Sequence, residues 1–361
     1  VGGGSHLLAG ITPGPLREML RRNAPGRDLR SRVRLAGLWR DALWAAGFAA
    51  AERRAWGERI AAAPNPTGAL IIVGHWRTGT TYLHQLLSLD PGAAASDLFT
   101  CCLPSSFLSS RRWVEPVMAR FLPPSRPMDA VALGTREPHE DEFATWRLSG
   151  VSSLEGLIFP RPGRYFVLAA NPLNQPEAER DAWREAFVLL LRKLSLAAPG
   201  KRLLLKNPLH TLRIPLLARL LPGARFVLIG RDPAEVLHST RHLWSTLAGR
   251  FALRPGWSDP SMEELAEGLG LFTGVARRDL AALPAGSWCE ADFADLERRP
   301  LECVAGIHAR LGLPFEPAFE SRLAVRLADL RGYRKNRYPL DPSERRRLTR
   351  LVEKKTAATA G

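Results

Sequence analysis

Residues 74–81 read Gly-His-Trp-Arg-Thr-Gly-Thr-Thr, set between the apolar run Ala69–Val73 and the helix-compatible stretch TTYLHQLLSL. A glycine-bounded turn from a strand into a helix aims backbone N–H groups and the helix N-terminus at one point, which suits an anion such as phosphate. The segment fits the phosphate-loop pattern G-x-x-x-x-G-K-[ST] except at the lysine, where Thr80 stands. In ATP and GTP enzymes that lysine holds the β- and γ-phosphates. The cradle otherwise survives in Gly79, Thr80 and Thr81, and a cation has moved inside the loop as Arg77. His75 lies beside the loop, either as a base or as a structural donor.

Further along, FVLIGRDPAEVLHST ends an apolar strand at Arg231 and places Ser239 eight residues later. Asp232 and Pro233 suit a helix start, so Ser239, about two turns in, can face back toward an anion. Lys206 closes another short apolar run, RLLLK. The stretch REPHEDEFATW concentrates Glu137, His139, Glu140, Asp141 and Glu142 in an otherwise basic chain. A carboxylate raised toward neutrality by burial can take a hydroxyl proton, although acids also favour a helix's first turn for dipole reasons. Glu140 is the first candidate base, with Glu142 second and His75 the rival. Trp76, Tyr82, Phe143 and Trp146 are candidates for an apolar pocket, but aromatic residues at such positions more often belong to a core.

A cradle with an internal cation, closed by Gly-Thr-Thr, resembles the 5′-phosphosulfate loop of sulfotransferases that use 3′-phosphoadenosine-5′-phosphosulfate (PAPS). Arg77, Thr78, Gly79, Thr80 and Thr81 fit the form P-[KR]-[ST]-G-T-[ST], with Trp76 where proline is often found. The resemblance implies that Arg231 and Ser239 grip the 3′-phosphate. It also makes Lys206, in LLLKNPLH, a cation facing the site. The segment GYRKNRYPL resembles the basic loop that closes over the 3′-phosphate, making Arg334, Lys335 and Arg337 candidates, although it departs from the glycine-rich form. Pro138, Glu140, Asp141 and Glu142 match the P-x-E-D-E segment of a bacterial subgroup, and family members use His or Glu as base. The likeness runs from about Leu70 to Leu340.

The implied reaction moves a sulfuryl group from PAPS to a hydroxyl or amine of a small-molecule, lipid or carbohydrate acceptor and releases 3′,5′-adenosine bisphosphate. Arg77, Thr80 and Thr81 would stabilise charge on the leaving oxygen. No metal is required, because the donor lacks the triphosphate that magnesium normally bridges. Two other readings stay open: a P-loop kinase recruiting its cation from Lys206, and a basic nucleic-acid-binding protein. The missing lysine and the lack of an apolar strand ending in Asp weigh against the first. Basic residues spread along the chain, with no recognised binding motif, weigh against the second, so nucleic acid is not expected as a partner.

The elements that must position these residues alternate. Short apolar strands followed by helices predict an α/β, P-loop-like three-layer fold, a central parallel sheet flanked by helices, with ligands at the strands' carboxyl ends. Residues 1–65 are expected to form an N-terminal helical extension packed on the core, and residues 66–361 the sulfotransferase-like α/β domain. Leu29, Val33, Leu38, Trp39 and Leu43 recur at helical spacing, so a helix is expected from about Pro15 to Ala63. The stretch from Asp90 to Gln175 has no clean period, and acceptor specificity belongs there. The 361 residues carry a net charge of +15, which attracts anions. The arginine-rich segment from Arg21 to Arg34 reads as a solvated helix that also admits peripheral contact with an anionic membrane surface. No run approaches the ~20 apolar residues of a membrane span, and four cysteines without metal or disulfide spacing point to a reducing cytoplasm.

Overall fold

The expected parallel sheet has five strands: β1 (Ala69–Val73), β2 (Ala93–Ala95), β3 (Arg202–Lys206), β4 (Arg225–Gly230) and β5 (Trp288–Asp292). The structure is a computed structural model and describes residues 6–126, 133–161, 163, 165–330 and 340–360. The strand order is β2-β3-β1-β4-β5, with every pairing parallel. All five residues of β1 are buried. A parallel strand covered on both faces must be apolar throughout, which is why Ala69–Val73 shows no alternation.

Register fixes the site. Ile72 lies opposite Lys206 of β3 and Val227 of β4, and Val73 lies opposite Leu228. Gly74, Lys206 and Gly230 therefore leave the sheet at the same carboxyl edge, where ligands of doubly wound sheets bind. On one face, Leu70, Ile72, Leu204, Val227 and Ile229 form a core with residues of the helices Thr80–Leu87, Pro300–Arg310 and Pro317–Asp329. The Pro342–Ala360 helix runs against Met262–Ala281 so closely that a Cβ on Gly270 would sit 2.7 Å from the Lys355 Cβ.

The chain divides into two compact units. The sheet unit comprises Pro66–Ala95, Ala198–His242 and Pro260–Gly361, and the helical unit comprises Val1–Asn65, Ser96–Ala197 and Leu243–Asp259. In the helical unit the expected N-terminal helix is two helices, Pro13–Arg22 and Leu29–Ala62. Pro25 falls in the break, and the Asp28 carboxylate caps the second helix by accepting the Ser31 N–H at 3.0 Å. Along that helix Leu29, Val33 and Leu43 are exposed, while Leu38 is buried beside Ala42, Ala45 and Ala49, small residues that let neighbouring helices approach closely.

Ionic contacts hold the helical unit where apolar pattern is weak. Lys193 pairs with Glu52 at 2.5 Å, with both side chains buried, and also donates to the Pro104 carbonyl. Arg22 pairs with Glu155 at 2.8 Å, and buried Arg147 donates to the carbonyls of Leu7 and Ala9. Among the described residues, no helix is long and apolar enough to cross a membrane.

Candidate active site

The loop after β1 is held in a conformation that its glycines permit. Gly74 has φ 140° and lies so close to β4 that a Cβ would come 2.8 Å from the Ile229 carbonyl oxygen. Thr211 clasps it from the Pro208–Leu212 turn: its hydroxyl accepts the Gly74 N–H at 2.8 Å and donates to the Gly74 carbonyl at 3.2 Å. Gly79, at φ 104°, lies against the Phe293 ring, which a Cβ would meet at 2.2 Å. The buried Thr78 hydroxyl donates to the His75 carbonyl at 2.8 Å.

Arg77 has φ 70°, the left-handed region that non-glycine residues avoid, and it is the one such residue among those described. Two contacts hold it there. Its Nε donates to Ser239 Oγ at 2.8 Å, and its carbonyl accepts from Arg231 at 3.2 Å. Strain of this kind collects at ligand sites when the surroundings over-determine it.

The helix Thr80–Leu87 follows at once, and Leu83 is the residue whose N–H first bonds back, to the Gly79 carbonyl at 3.1 Å. The first turn therefore presents N–H groups with no intrahelical partner, the donor set an anion needs. Lys206 delivers a cation to the same place, its Nζ 3.5 Å from the Thr81 hydroxyl and its side chain almost wholly buried. The charge absent at position 80 thus arrives from the adjacent strand. These residues fit a phosphosulfate anion.

Arg231 follows β4. Its guanidinium pairs with Glu235 at 2.7 Å and lies 4.5 Å over the Phe293 ring. Ser239 is buried on the helix Pro233–Phe251, and Arg345 braces the helix start through Asp232 at 2.7 Å. Arg77, Arg231 and Ser239, read from two separated motifs, are directly linked. A cavity of about 1340 Å³ opens beside them, lined in part by Gly74, His75, Thr78 and Arg231, with Arg277 from the Met262–Ala281 helix.

His75 is enclosed. It makes edge-on contacts with Trp76 and Phe272, Nδ1 is 2.9 Å from the Trp76 carbonyl oxygen, and Nε2 is buried without a hydrogen-bond partner. Burial lowers its pKa to about 4, the Trp76 carbonyl opposing that shift. Trp76 and Phe272 also pack together, 5.3 Å between ring centroids, and Tyr82 is partly buried on the next helix.

In the helical unit the acidic cluster begins the helix Glu142–Ser149. Glu142 is fully buried, with one carboxylate oxygen accepting from Ser152 Oγ at 2.7 Å and the other from Trp183 Nε1 at 3.3 Å. Glu140 is only half-buried; its N–H donates to His139 Nδ1 at 2.8 Å and its carbonyl accepts from Cys101 Sγ. Trp146 is fully buried core, and Phe143 packs edge-on against His139. Arg334, Lys335 and Arg337 lie outside the described residues.

Thr211, Phe293 and Arg345 were not among the residues the sequence singled out. Thr211 follows the strand-ending Lys206 by five positions and Phe293 follows the strand WCEAD directly, yet only strand register brings either to the loop.

A family model described as the sulfotransferase family matches residues 69–317. Over 292 residues the chain is 30% identical to the omega-hydroxy-beta-dihydromenaquinone-9 sulfotransferase Stf3 of Mycobacterium bovis, covering 80% of this chain and 74% of that one. The Mycobacterium tuberculosis protein of the same name matches to the same extent. Among solved structures, sulfotransferase STF9 from Mycobacterium avium superposes with a TM-score of 0.64 at 19% identity, covering 96% of this chain and 86% of that chain. Sulfotransferase STF1 from M. tuberculosis superposes with a TM-score of 0.57 at 19% identity, covering 97% and 88%. At such identities the two structures speak for the fold.

Proposed function

Because this chain belongs to the sulfotransferase family, we propose that it takes the sulfuryl group from PAPS and passes it to the hydroxyl of a lipid. The observation that carries the donor assignment is the linked set of Arg77, Arg231 and Ser239 beside the Gly79–Thr81 cradle, with Lys206 supplying the cation that the loop lacks. A cradle and a neighbouring arginine–serine pair suit a donor bearing a 5′-phosphosulfate and a 3′-phosphate. Thr78, Thr80, Thr81 and the first-turn N–H groups hold the former, and Arg231 with Ser239 holds the latter. Arg334, Lys335 and Arg337 are assigned to covering it.

In the reaction the acceptor O–H loses its proton to a base, its oxygen bonds to sulfur, and the bond from sulfur to the bridging oxygen breaks. Charge growing on the phosphate oxygen is met by Arg77, Lys206 and the threonine hydroxyls, dipoles fixed before the reaction begins. Glu140 is assigned as base because Glu142 already spends both oxygens on Ser152 and Trp183. A ring with a pKa of about 4 is a weak base at neutral pH, so His75 is assigned to shaping the loop. The lipid assignment draws on the relative named for a hydroxylated dihydromenaquinone. The four cysteines are all free thiols, which suits a reducing cytoplasm.

Calorimetric titration with 3′,5′-adenosine bisphosphate, AMP and ATP, without magnesium, tests the donor. Micromolar affinity for the bisphosphate with little response to AMP supports the assignment, whereas preference for ATP, or no binding, overturns it.

A further inference from the structure

The helix Phe107–Phe121 in the helical unit is polarised the wrong way for a surface helix in water. Its inner side buries Phe107, Ser110, Val114 and Glu115. Its outer side presents Trp113, Val117 and Phe121, 70%, 57% and 80% exposed. Their spacing of four places them on one stripe. Arg112 and Arg120 flank the stripe and are exposed, as is Pro116 within it. The helix's one carboxylate, Glu115, is turned inward and pairs with Arg111 and Arg136. No acidic residue of this helix faces solvent.

Tryptophan, phenylalanine and an aliphatic residue between arginines form the composition that settles at the boundary of headgroups and acyl chains. We propose that this face docks peripherally on an anionic lipid bilayer, with the Trp113, Val117 and Phe121 side chains entering the acyl boundary and Arg112 and Arg120 meeting lipid phosphates. Charge selects this occupant. A second copy on the same patch would bring further arginines to a face that has no carboxylate to receive them. A folded protein partner usually covers about 800 Å² per side, more than one stripe of three side chains supplies, whereas a bilayer needs only their insertion. The inference rests on the helical unit and is independent of the donor assignment.

Vesicle flotation of the full chain tests it, with phosphatidylcholine alone and with phosphatidylcholine containing phosphatidylglycerol. The wild type is expected to float with the phosphatidylglycerol vesicles and to release as salt is raised. Trp113→Ala/Phe121→Ala, and separately Val117→Asp, should lower the bound fraction about tenfold. Arg112→Gln/Arg120→Gln should remove the preference for phosphatidylglycerol. Each variant is first shown to keep its wild-type melting temperature. Absence of flotation overturns the proposal, and so does undiminished flotation of both apolar-stripe variants, which would move binding to another basic surface. Concentration-dependent dimerisation lost in the same variants would give the face to a second copy and equally overturn it.

Discussion

Arg231 joins three parts of the proposed donor site: it bonds the Arg77 carbonyl, pairs with Glu235 and stacks on Phe293. On the proposed assignment, replacing it with alanine would remove a charge-assisted contact to the 3′-phosphate, and would also lose the bond to the Arg77 carbonyl that holds Arg77 in its left-handed turn. Affinity for 3′,5′-adenosine bisphosphate is expected to fall by about 100-fold, with Ser239→Ala costing roughly tenfold. Unchanged affinity in calorimetry would remove the 3′-phosphate from this position. Glu140→Gln should leave that affinity intact while single-turnover sulfuryl transfer drops by about 10²–10⁴. Near-normal transfer would return the role to Glu142 or His75. His75 itself makes a pH-dependent contribution to stability. Unfolded, the ring takes a proton near pH 6.5; folded, it does so only near pH 4. The folded state therefore binds fewer protons in that window, and stability is lost as pH falls from 6.5 to 4. His6 and His308 are also lowered by burial and keep their own contributions, so His75→Gln should reduce the loss of stability between pH 7 and pH 4 by roughly 3 kcal/mol in urea titrations without abolishing it.

The elements of the helical unit depend on a pairing that no local pattern encodes. Glu52 lies on the Leu29–Ala62 helix and Lys193 on Glu177–Ala197, far apart in sequence yet bonded in a buried site. Burial lowers the Lys193 pKa, while Glu52 acts in the opposite direction. Breaking such a pair strands one charge in the interior. Lys193→Met alone and Glu52→Gln alone are each expected to cost about 3–5 kcal/mol of unfolding free energy, and the double variant should recover most of that loss. Losses that simply add would show that the two side chains act separately. The pair also explains where sequence reading ran out. β1, β3 and β4 were legible because doubly covered parallel strands must be continuous apolar runs, whereas β2, three half-buried alanines, carried no such signal; Arg77, Arg231 and Ser239 came from motif spacing. Thr211, Phe293 and Glu52 act through register and helix packing, which appear only when distant segments meet. The N-terminal segment was legible as helix, but the break that divides it into Pro13–Arg22 and Leu29–Ala62 was not.

At the scale of the whole molecule, a net charge of +15 should govern how the proposed anionic donor arrives, and local contacts how long it stays. The bisphosphate is multiply negative, so the protein's field should accelerate its approach. That field is cut off within about 10 Å at 0.1 M salt, whereas partly buried contacts such as those of Arg77 and Arg231 are screened far less. Stopped-flow binding between about 20 and 300 mM salt should therefore show an association rate that falls by roughly tenfold and a dissociation rate that changes much less. Arg231→Ala should leave the salt dependence of association nearly intact and speed dissociation at every salt concentration. If salt instead acted mainly on dissociation, the donor would be held by exposed arginines rather than by the buried network around Gly79, and the cradle would lose its claim to the phosphosulfate.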